Sequence, residues 1–383
     1  MSHTRSRLRT TLLGLLAVLL SGCLAPRAEA FETSAQAAFL IDLQSGQELY
    51  AKNPDLPLPP ASMSKLMTVL MVFERLAAGT LSLDDTLPVS ERAWRMGGSK
   101  MFVEIGSRVR VEDLLRGIIV QSGNDACIVV AEALGGTEEA FSEQMTRRAH
   151  ELGLTHTTLK NASGWPHPEH LMTARDLAKL AAIIIENYPQ YYPIFAEKEF
   201  TFTNIRQYSR NPLLYQDIGA DGLKTGHTNE AGYGLTASAV RDGRRLVLVL
   251  AGLERPGDRA RESERLLDYG FRNFKNYQLF ASGGAVDQAA VWLGSTGSVP
   301  LIIREDIWVS LTPEGRRDLK VKVVYDGPIP APVADGSEVA ELDISAPGLE
   351  PRRVPLIAGA TVQAAGMLDR VTSAIGYLIW GPS

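Results

Sequence analysis

Residues 223–253 read LKTGHTNEAGYGLTASAVRDGRRLVLVLAGL, and this stretch decides the fold class. Arg244–Leu253 is an apolar run of strand length, the pattern of a buried strand. Gly232–Val240 precedes it as a second strand and Leu223–Thr225 supplies a third. Three strands so close along the chain pair as neighbours in an antiparallel sheet.

Helical periodicity lies on both sides of this sheet. Pro57 to Pro60 breaks the chain and a helix begins near Ala61, with Leu66, Val69, Leu70, Phe73 and Leu76 at core spacing. Further helices fit 111–119, 125–134, 138–152, 173–187 and 258–274. Thr173, with Asp176 three residues on, is the expected N-cap of the fourth of these. Near the start, Phe39-Leu40-Ile41-Asp42 and Glu48-Leu49-Tyr50-Ala51 flank the turn Gln44-Ser45-Gly46 as a hairpin. Helices before and after the sheet make this region α+β rather than a doubly wound array.

After about residue 276 the pattern becomes short strands between Gly and Pro turns: 286–293, 299–303, 307–312, 319–325, 337–343 and 353–356, a small all-β domain. Leu368, Val371, Ile375, Leu378 and Ile379 then share one helical face, and Trp380 follows. A terminal amphipathic helix of this kind suits a membrane interface, although Arg370 is cancelled by Asp369 and adds little attraction to anionic lipid.

The first thirty residues have the form of an export signal: Arg5, Arg7 and Arg9, then the apolar stretch Leu12–Leu20, too short to span a bilayer. Ala28-Glu29-Ala30 favours cleavage after Ala30, while Leu20-Ser21-Gly22-Cys23 resembles a lipobox that would lipidate Cys23. The expected organisation is a signal peptide at 1–30, a catalytic domain at 31–275, a β-rich domain at 276–361 and a membrane-anchor helix at 362–383. Cys127 is the other thiol, so no disulfide forms after either cut, and its apolar surroundings mark it as a small core residue. With 383 residues, 45% hydrophobic, 22% charged and a net charge of −5, the chain lacks the basic excess of a nucleic-acid binder.

Three short motifs carry chemistry. Ser62-Met63-Ser64-Lys65 places a hydroxyl and an amine at i and i+3, on one helix face and within hydrogen-bond reach. A serine needs a base to become a nucleophile, and a buried lysine near other cations loses its charge and can act as one. Alone the motif is weak, since average composition yields about one S-x-x-K per chain of this size. Ser122-Gly123-Asn124 offers a proton-relaying hydroxyl and an amide that can hold a substrate amide, while Ser122 also suits a helix N-cap ahead of Asp125–Ala131. Ser209-Arg210-Asn211 repeats the S-x-N pattern in a less suitable setting. Lys224-Thr225-Gly226 is rarer, at roughly a tenth of an occurrence per chain by chance. It sets a cation on a strand where a glycine lets substrate backbone approach as an added β-pair.

Together and in this order, the motifs resemble those of class A β-lactamases and penicillin-binding proteins. Beyond the trio, the chain resembles the D-alanyl-D-alanine carboxypeptidase branch of the low-molecular-mass penicillin-binding proteins, peptidase family S11. The resemblance runs from about Ala35 to the C-terminus and is most specific at Pro60–Thr68, Gln121–Ala126, Asp221–Thr228 and Val291-Trp292-Leu293-Gly294. It implies a β-lactamase/D,D-peptidase-like catalytic domain, Ser62 as nucleophile, Lys65 as general base, Ser122 as proton relay, and Asn124 holding the stem peptide. It further implies Lys224, Thr225, Gly226 and His227 as substrate-binding residues, with Arg259 assisting, and an oxyanion hole from the Ser62 and His227 N–H groups. The implied substrates are peptidoglycan stems ending in D-Ala-D-Ala, the implied inhibitors β-lactams, and the implied place the periplasm, against the inner membrane surface. No metal or organic cofactor belongs to this scheme.

Four other readings fit part of this pattern. A D,D-endopeptidase would share the machinery but not the β domain around Trp292. A class A β-lactamase would use Glu169, yet Thr173 stands where an Asn is expected. A zinc peptidase would use His167, Glu169 and His170, which lack the helical i, i+4 spacing. A non-catalytic wall-binding relative would have lost motif side chains that are all present here.

Overall fold

The computed structural model describes residues 31–366. Strands β1 (Ala37–Asp42), β2 (Glu48–Lys52), β3 (Ala220–Thr228), β4 (Gly232–Arg241) and β5 (Arg244–Leu253) form one antiparallel sheet in the order β2-β1-β5-β4-β3. The three expected strands are neighbours. The N-terminal hairpin joins them by pairing β1 with β5, Phe39 opposite Val249.

Residues Leu246 to Leu250 of β5 have no solvent exposure, because the central strand is covered on both faces. Val247 and Val249 face a large helical core with Leu66, Leu70, Phe73, Leu114, Ile128 and Leu180. On the other face, helix α6 (Pro256–Asn273) packs so closely that a Cβ on Gly270 would lie 2.7 Å from both Leu246 and Leu40. Burial on both sides explains the unbroken apolar run where a one-sided strand would alternate.

The helical layer comprises α1 (Lys65–Ala77), α2 (Val111–Ile119), α3 (Asn124–Gly135), α4 (Glu138–Glu151) and α5 (Ala174–Asn187). Thr173 caps α5 as expected, its hydroxyl accepting from the Asp176 N–H at 3.1 Å. Several features depart from expectation. The N-cap of α3 is Gly123, not Ser122, and Ser122 instead holds a left-handed backbone with φ +62°. A short helix at Glu91–Arg95 and a hairpin of Glu199–Phe202 with Ile205–Tyr208 also stand where sequence periodicity gave no element.

From Lys275 the chain is almost wholly β. A six-stranded sheet and the pair Lys275–Phe280 with Ile307–Leu311 enclose a separate core around Leu301, Val309, Leu342 and Leu356. Val362 and Ala364 bridge to Val333 and Gly294, so residues 362–364 belong to this domain rather than to a terminal helix. The remainder of that expected helix, like the signal segment and Cys23, lies outside the described residues. Among the described residues, no helix is long and apolar enough to cross a membrane.

The β domain is joined to the first by a polar hub. Asp42, fully buried, accepts from Arg244 Nε at 2.6 Å and from Asn276 Nδ2 at 3.0 Å. Ser310, from the β domain, shares a 2.7 Å hydrogen bond with Ser45 and exchanges backbone bonds with the Gln47 amide at 2.8 and 3.0 Å.

Candidate active site

The chain enters the site through a 3-10 turn, Ala61–Ser64, that continues directly into α1. Two glycines lie close against it. A Cβ on Gly164 would fall 2.0 Å from Ala61 O, and one on Gly226 would fall 2.7 Å from Pro60 O. Ala61 itself is left-handed at φ +48°. Strain of this kind persists only where the surroundings over-determine it, and here both walls of the turn are backbone.

Lys65 opens α1 with no solvent exposure. Its Nζ reaches Ser62 Oγ at 2.9 Å, Asn124 Oδ1 at 2.7 Å and the Ser163 carbonyl. As an ammonium it donates to all three. As an amine it keeps donors for Asn124 and Ser163, and its lone pair is left to accept the Ser62 hydroxyl proton. Burial pulls Lys65 down to about 8, and the Arg210 charge pulls the same way. The i, i+3 relation expected of Ser62 and Lys65 is therefore present, and the structure adds Asn124 to the same ammonium.

Asn124 begins α3, and its amide donates in turn to Gly97 O at 2.9 Å. The neighbouring Asp125 pins the same segment. Its buried carboxylate accepts from the N–H groups of Met101 and Phe102, both at 2.9 Å, and of Val103 at 3.2 Å. Ser122 is buried beside them. Lys224 lies on β3, the edge strand of the sheet, and is 3% exposed. Burial and then the Lys65 charge hold its ammonium well below the ordinary lysine value, and Arg210 and Arg259 add to this. Among the described residues no carboxylate pairs with it. The site thus gathers Lys224, Arg210 and Arg259, none of them paired with a carboxylate among the described residues, an arrangement suited to a bound carboxylate.

His227 is exposed on β3 and stacks on Tyr233 of β4, ring centres 3.9 Å apart. Arg259 lies over the same Tyr233 ring at 5.2 Å, and its buried Nε has no hydrogen-bond partner among the described residues. Residues 25–254 match the D-alanyl-D-alanine carboxypeptidase family of peptidases, S11, and residues 274–364 match the C-terminal domain of penicillin-binding protein 5. The chain belongs to the S11 family. It is a serine-type D-alanyl-D-alanine carboxypeptidase, built on the same two-domain plan.

D-alanyl-D-alanine carboxypeptidase DacC of Escherichia coli is 38% identical over 351 residues, covering 90% of this chain and 88% of that protein. The crystal structure of penicillin binding protein 5 from Haemophilus influenzae superposes with a TM-score of 0.82 at 34% identity, covering 88% of this chain and 99% of that one. Penicillin-binding protein D2 from Listeria monocytogenes, solved in its ampicillin-bound form, is 31% identical with a TM-score of 0.58, covering 63% of this chain and 98% of its own.

Two parts of this S11 site carry no clear sequence signal. The Ser163 carbonyl that accepts from Lys65 is backbone, so no residue type announces it. Its loop is tied from behind: Ala162 N–H donates to Glu138 at 3.0 Å, Thr68 Oγ1 donates to Ala162 O at 2.7 Å, and Arg92 holds Glu138 at 2.7 Å. Arg210 lay in the set-aside S-x-N copy. Its Nη1 donates to Ser99 Oγ at 2.6 Å, while Asn211 is a structural brace donating to Gly222 O at 2.9 Å.

The readings set against this one place their residues elsewhere. His170 is buried and its Nδ1 accepts from the Lys160 N–H at 3.1 Å, while Glu169 pairs with Lys160 at 3.1 Å, so both close a loop. Cys127 is fully buried, and burial pushes its thiol up to about 12, far from a nucleophile. Clefts of about 730 Å³ around Phe39 and Trp308 and about 760 Å³ around His150 contain none of the motif residues.

Proposed function

We propose that this enzyme removes the terminal D-Ala from peptidoglycan stem peptides through an acyl-enzyme on Ser62. The observation that carries the assignment is the threefold contact of Lys65, which leaves one amine lone pair for the Ser62 proton. In the first half-reaction Lys65 takes that proton as Ser62 Oγ attacks the carbonyl of the penultimate D-Ala. The N–H groups of Ser62 and His227 receive the developing oxyanion. Ser122 passes the proton from Lys65 to the departing nitrogen, the C–N bond breaks, and D-Ala leaves as an amine. Water, deprotonated by Lys65, then attacks the ester and returns Ser62 with the shortened stem.

Asn124 holds the stem amide, and the edge of β3 receives the substrate backbone as an added strand at Thr225 and Gly226. The terminal carboxylate lies among Lys224, Thr225 and Arg210, with Arg259 supporting from behind Tyr233. β-Lactams imitate the D-Ala-D-Ala end and acylate the same serine.

The enzyme works in the periplasm on the outer face of the inner membrane, released by cleavage after Ala30 or held through Cys23, with the segment after residue 366 as an interfacial anchor. Deleting 367–383 is expected to free the protein from membranes while soluble-peptide turnover persists. Retention on membranes would turn the assignment to Cys23.

Intact-mass spectrometry after fluorescent penicillin, together with D-Ala release from diacetyl-Lys-D-Ala-D-Ala, tests the function. Ser62→Ala should show neither adduct nor release while keeping its fold. Turnover in that variant would overturn the nucleophile, and an adduct without release in the native chain would favour the endopeptidase reading.

A further inference from the structure

A cleft of about 300 Å³, which the mechanism leaves unused, lies along the segment that follows Ser99. Its walls are Trp94, Phe102 and Ile205, exposed to 44%, 46% and 38%, with Lys100, Glu104 and Thr203 on the rim. Core packing does not account for these side chains. Phe102 is held at φ +70°, a conformation costly for an aromatic residue, by its N–H donating to Asp125. The Trp94 carbonyl is fixed by Lys100 Nζ at 2.7 Å. Ile205 follows Thr203 and Asn204, both left-handed, in the two-residue turn of its hairpin, and Gln207 of that hairpin donates to Lys100 O at 3.1 Å. Three separate segments therefore present apolar faces to solvent and are tied to one another by hydrogen bonds.

The same segment forms the wall of the catalytic cleft. Ser99 O accepts from Asn124 N–H at 2.7 Å, and Ser99 Oγ accepts from Arg210. Phe102 is three residues further on, so its Cα lies within roughly 10 Å of Ser99. A five-residue stem with its last two residues at Ser62 has three residues left, which extended also span roughly 10 Å. The chain then meets the amino sugar to which the stem is amide-linked.

We infer that the Trp94–Phe102–Ile205 cleft binds this sugar, so that the enzyme prefers glycan-linked stems to free peptides. This rests on the carboxypeptidase reading above and names the substrate form for it. A pyranose ring offers C–H faces that pack on aromatic rings and hydroxyl and acetamido groups that hydrogen-bond at a polar rim, which matches this combination of aromatic walls and charged edge. Continuity with the substrate cleft favours a part of the same substrate over a separate partner.

The test compares D-Ala release from a disaccharide-pentapeptide with release from the free pentapeptide, using the full chain and the double variant Trp94→Ala, Phe102→Ala. The native enzyme should show the lower KM on the disaccharide-linked stem. The double variant should raise that KM about tenfold, the equivalent of about 1.4 kcal/mol, with free-pentapeptide kinetics and the penicillin acylation rate unchanged. Equal losses on both substrates, or no loss on either, would overturn the sugar site. A second readout stands apart from catalysis: the peptide-free disaccharide should shift the Trp94 indole NMR signal, identified by its loss in Trp94→Phe. If the native chain released D-Ala from neither substrate, the carboxypeptidase reading would fail, while this shift would still judge the surface. No shift would count against it.

Discussion

Asn124 Oδ1 lies 2.7 Å from Lys65 Nζ, so the residue proposed to hold the substrate also fixes the proposed base. Removing Asn124 would leave a buried amine with one acceptor fewer as well as a substrate with one anchor fewer. Two distinct effects are therefore built into one side chain, and kinetics on that position alone cannot separate them.

The protonation of Lys65 can be approached from outside the hydrogen-bonded cluster. Its ordinary value of 10.5 falls to about 8 in the folded protein, so acylation by dilute penicillin should rise with pH through about 8. Arg210 lowers this value and Glu138 raises it. Arg210→Gln should therefore move the profile to higher pH and Glu138→Gln to lower pH. Movement of both in one direction would contradict the arrangement. The sign for stability follows from the same depression. Between about 8 and 10.5 the unfolded chain binds more protons than the native one, so this contribution makes stability rise with pH across that window. At lower pH both states are protonated and the burial penalty is complete.

Ser122 combines a hydroxyl with a left-handed backbone, φ +62°. Ser122→Gly and Ser122→Ala should both lose turnover through the missing hydroxyl, but glycine should be the more stable by about 1 kcal/mol because it alone adopts this conformation freely. Urea denaturation of the pair decides the matter, and equal stabilities would show that the backbone carries no strain.

Gly226→Ala would put a methyl 2.7 Å from Pro60 O, on a turn against which Gly164 also packs closely, at Ala61. Penicillin acylation should fall by about a hundredfold, the cost of roughly an ångström of misplacement at a reacting group. Native-like acylation would mean that the turn yields.

At the domain junction, Asp42→Ala would strand Arg244, which is 13% exposed, without its carboxylate. A loss of about 3–5 kcal/mol is expected, and calorimetry should show the β domain melting apart from the first. Acylation by the folded fraction should be unaffected, since Asp42 is outside the site. A single unaltered transition would show that the hub contributes nothing to coupling.

Much of this was legible along the chain because its signals are local. The Ser62–Lys65 spacing gave a shared helix face, Thr173 gave a cap, and the run from Arg244 gave the central strand. What was illegible depends on distant partners. The pairing of Phe39 with Val249 is set by the closure of the whole sheet, not by either segment. Ser122 has the residue type of an N-cap, yet the close packing of Gly123 and the clamp made by Asp125 move the cap one residue on. Arg210 resembled a chance motif, and only the fold brings its charge to bear on Lys65 and Lys224.

Lys65 touches groups contributed by residues 124 and 163, and neither contact exists until those segments have met. In the unfolded chain the lysine is an ordinary ammonium and Ser62 an ordinary alcohol. Reactivity therefore arrives only with these long-range contacts. On the mechanism proposed above, a half-folded molecule offers β-lactams no activated Ser62 to acylate.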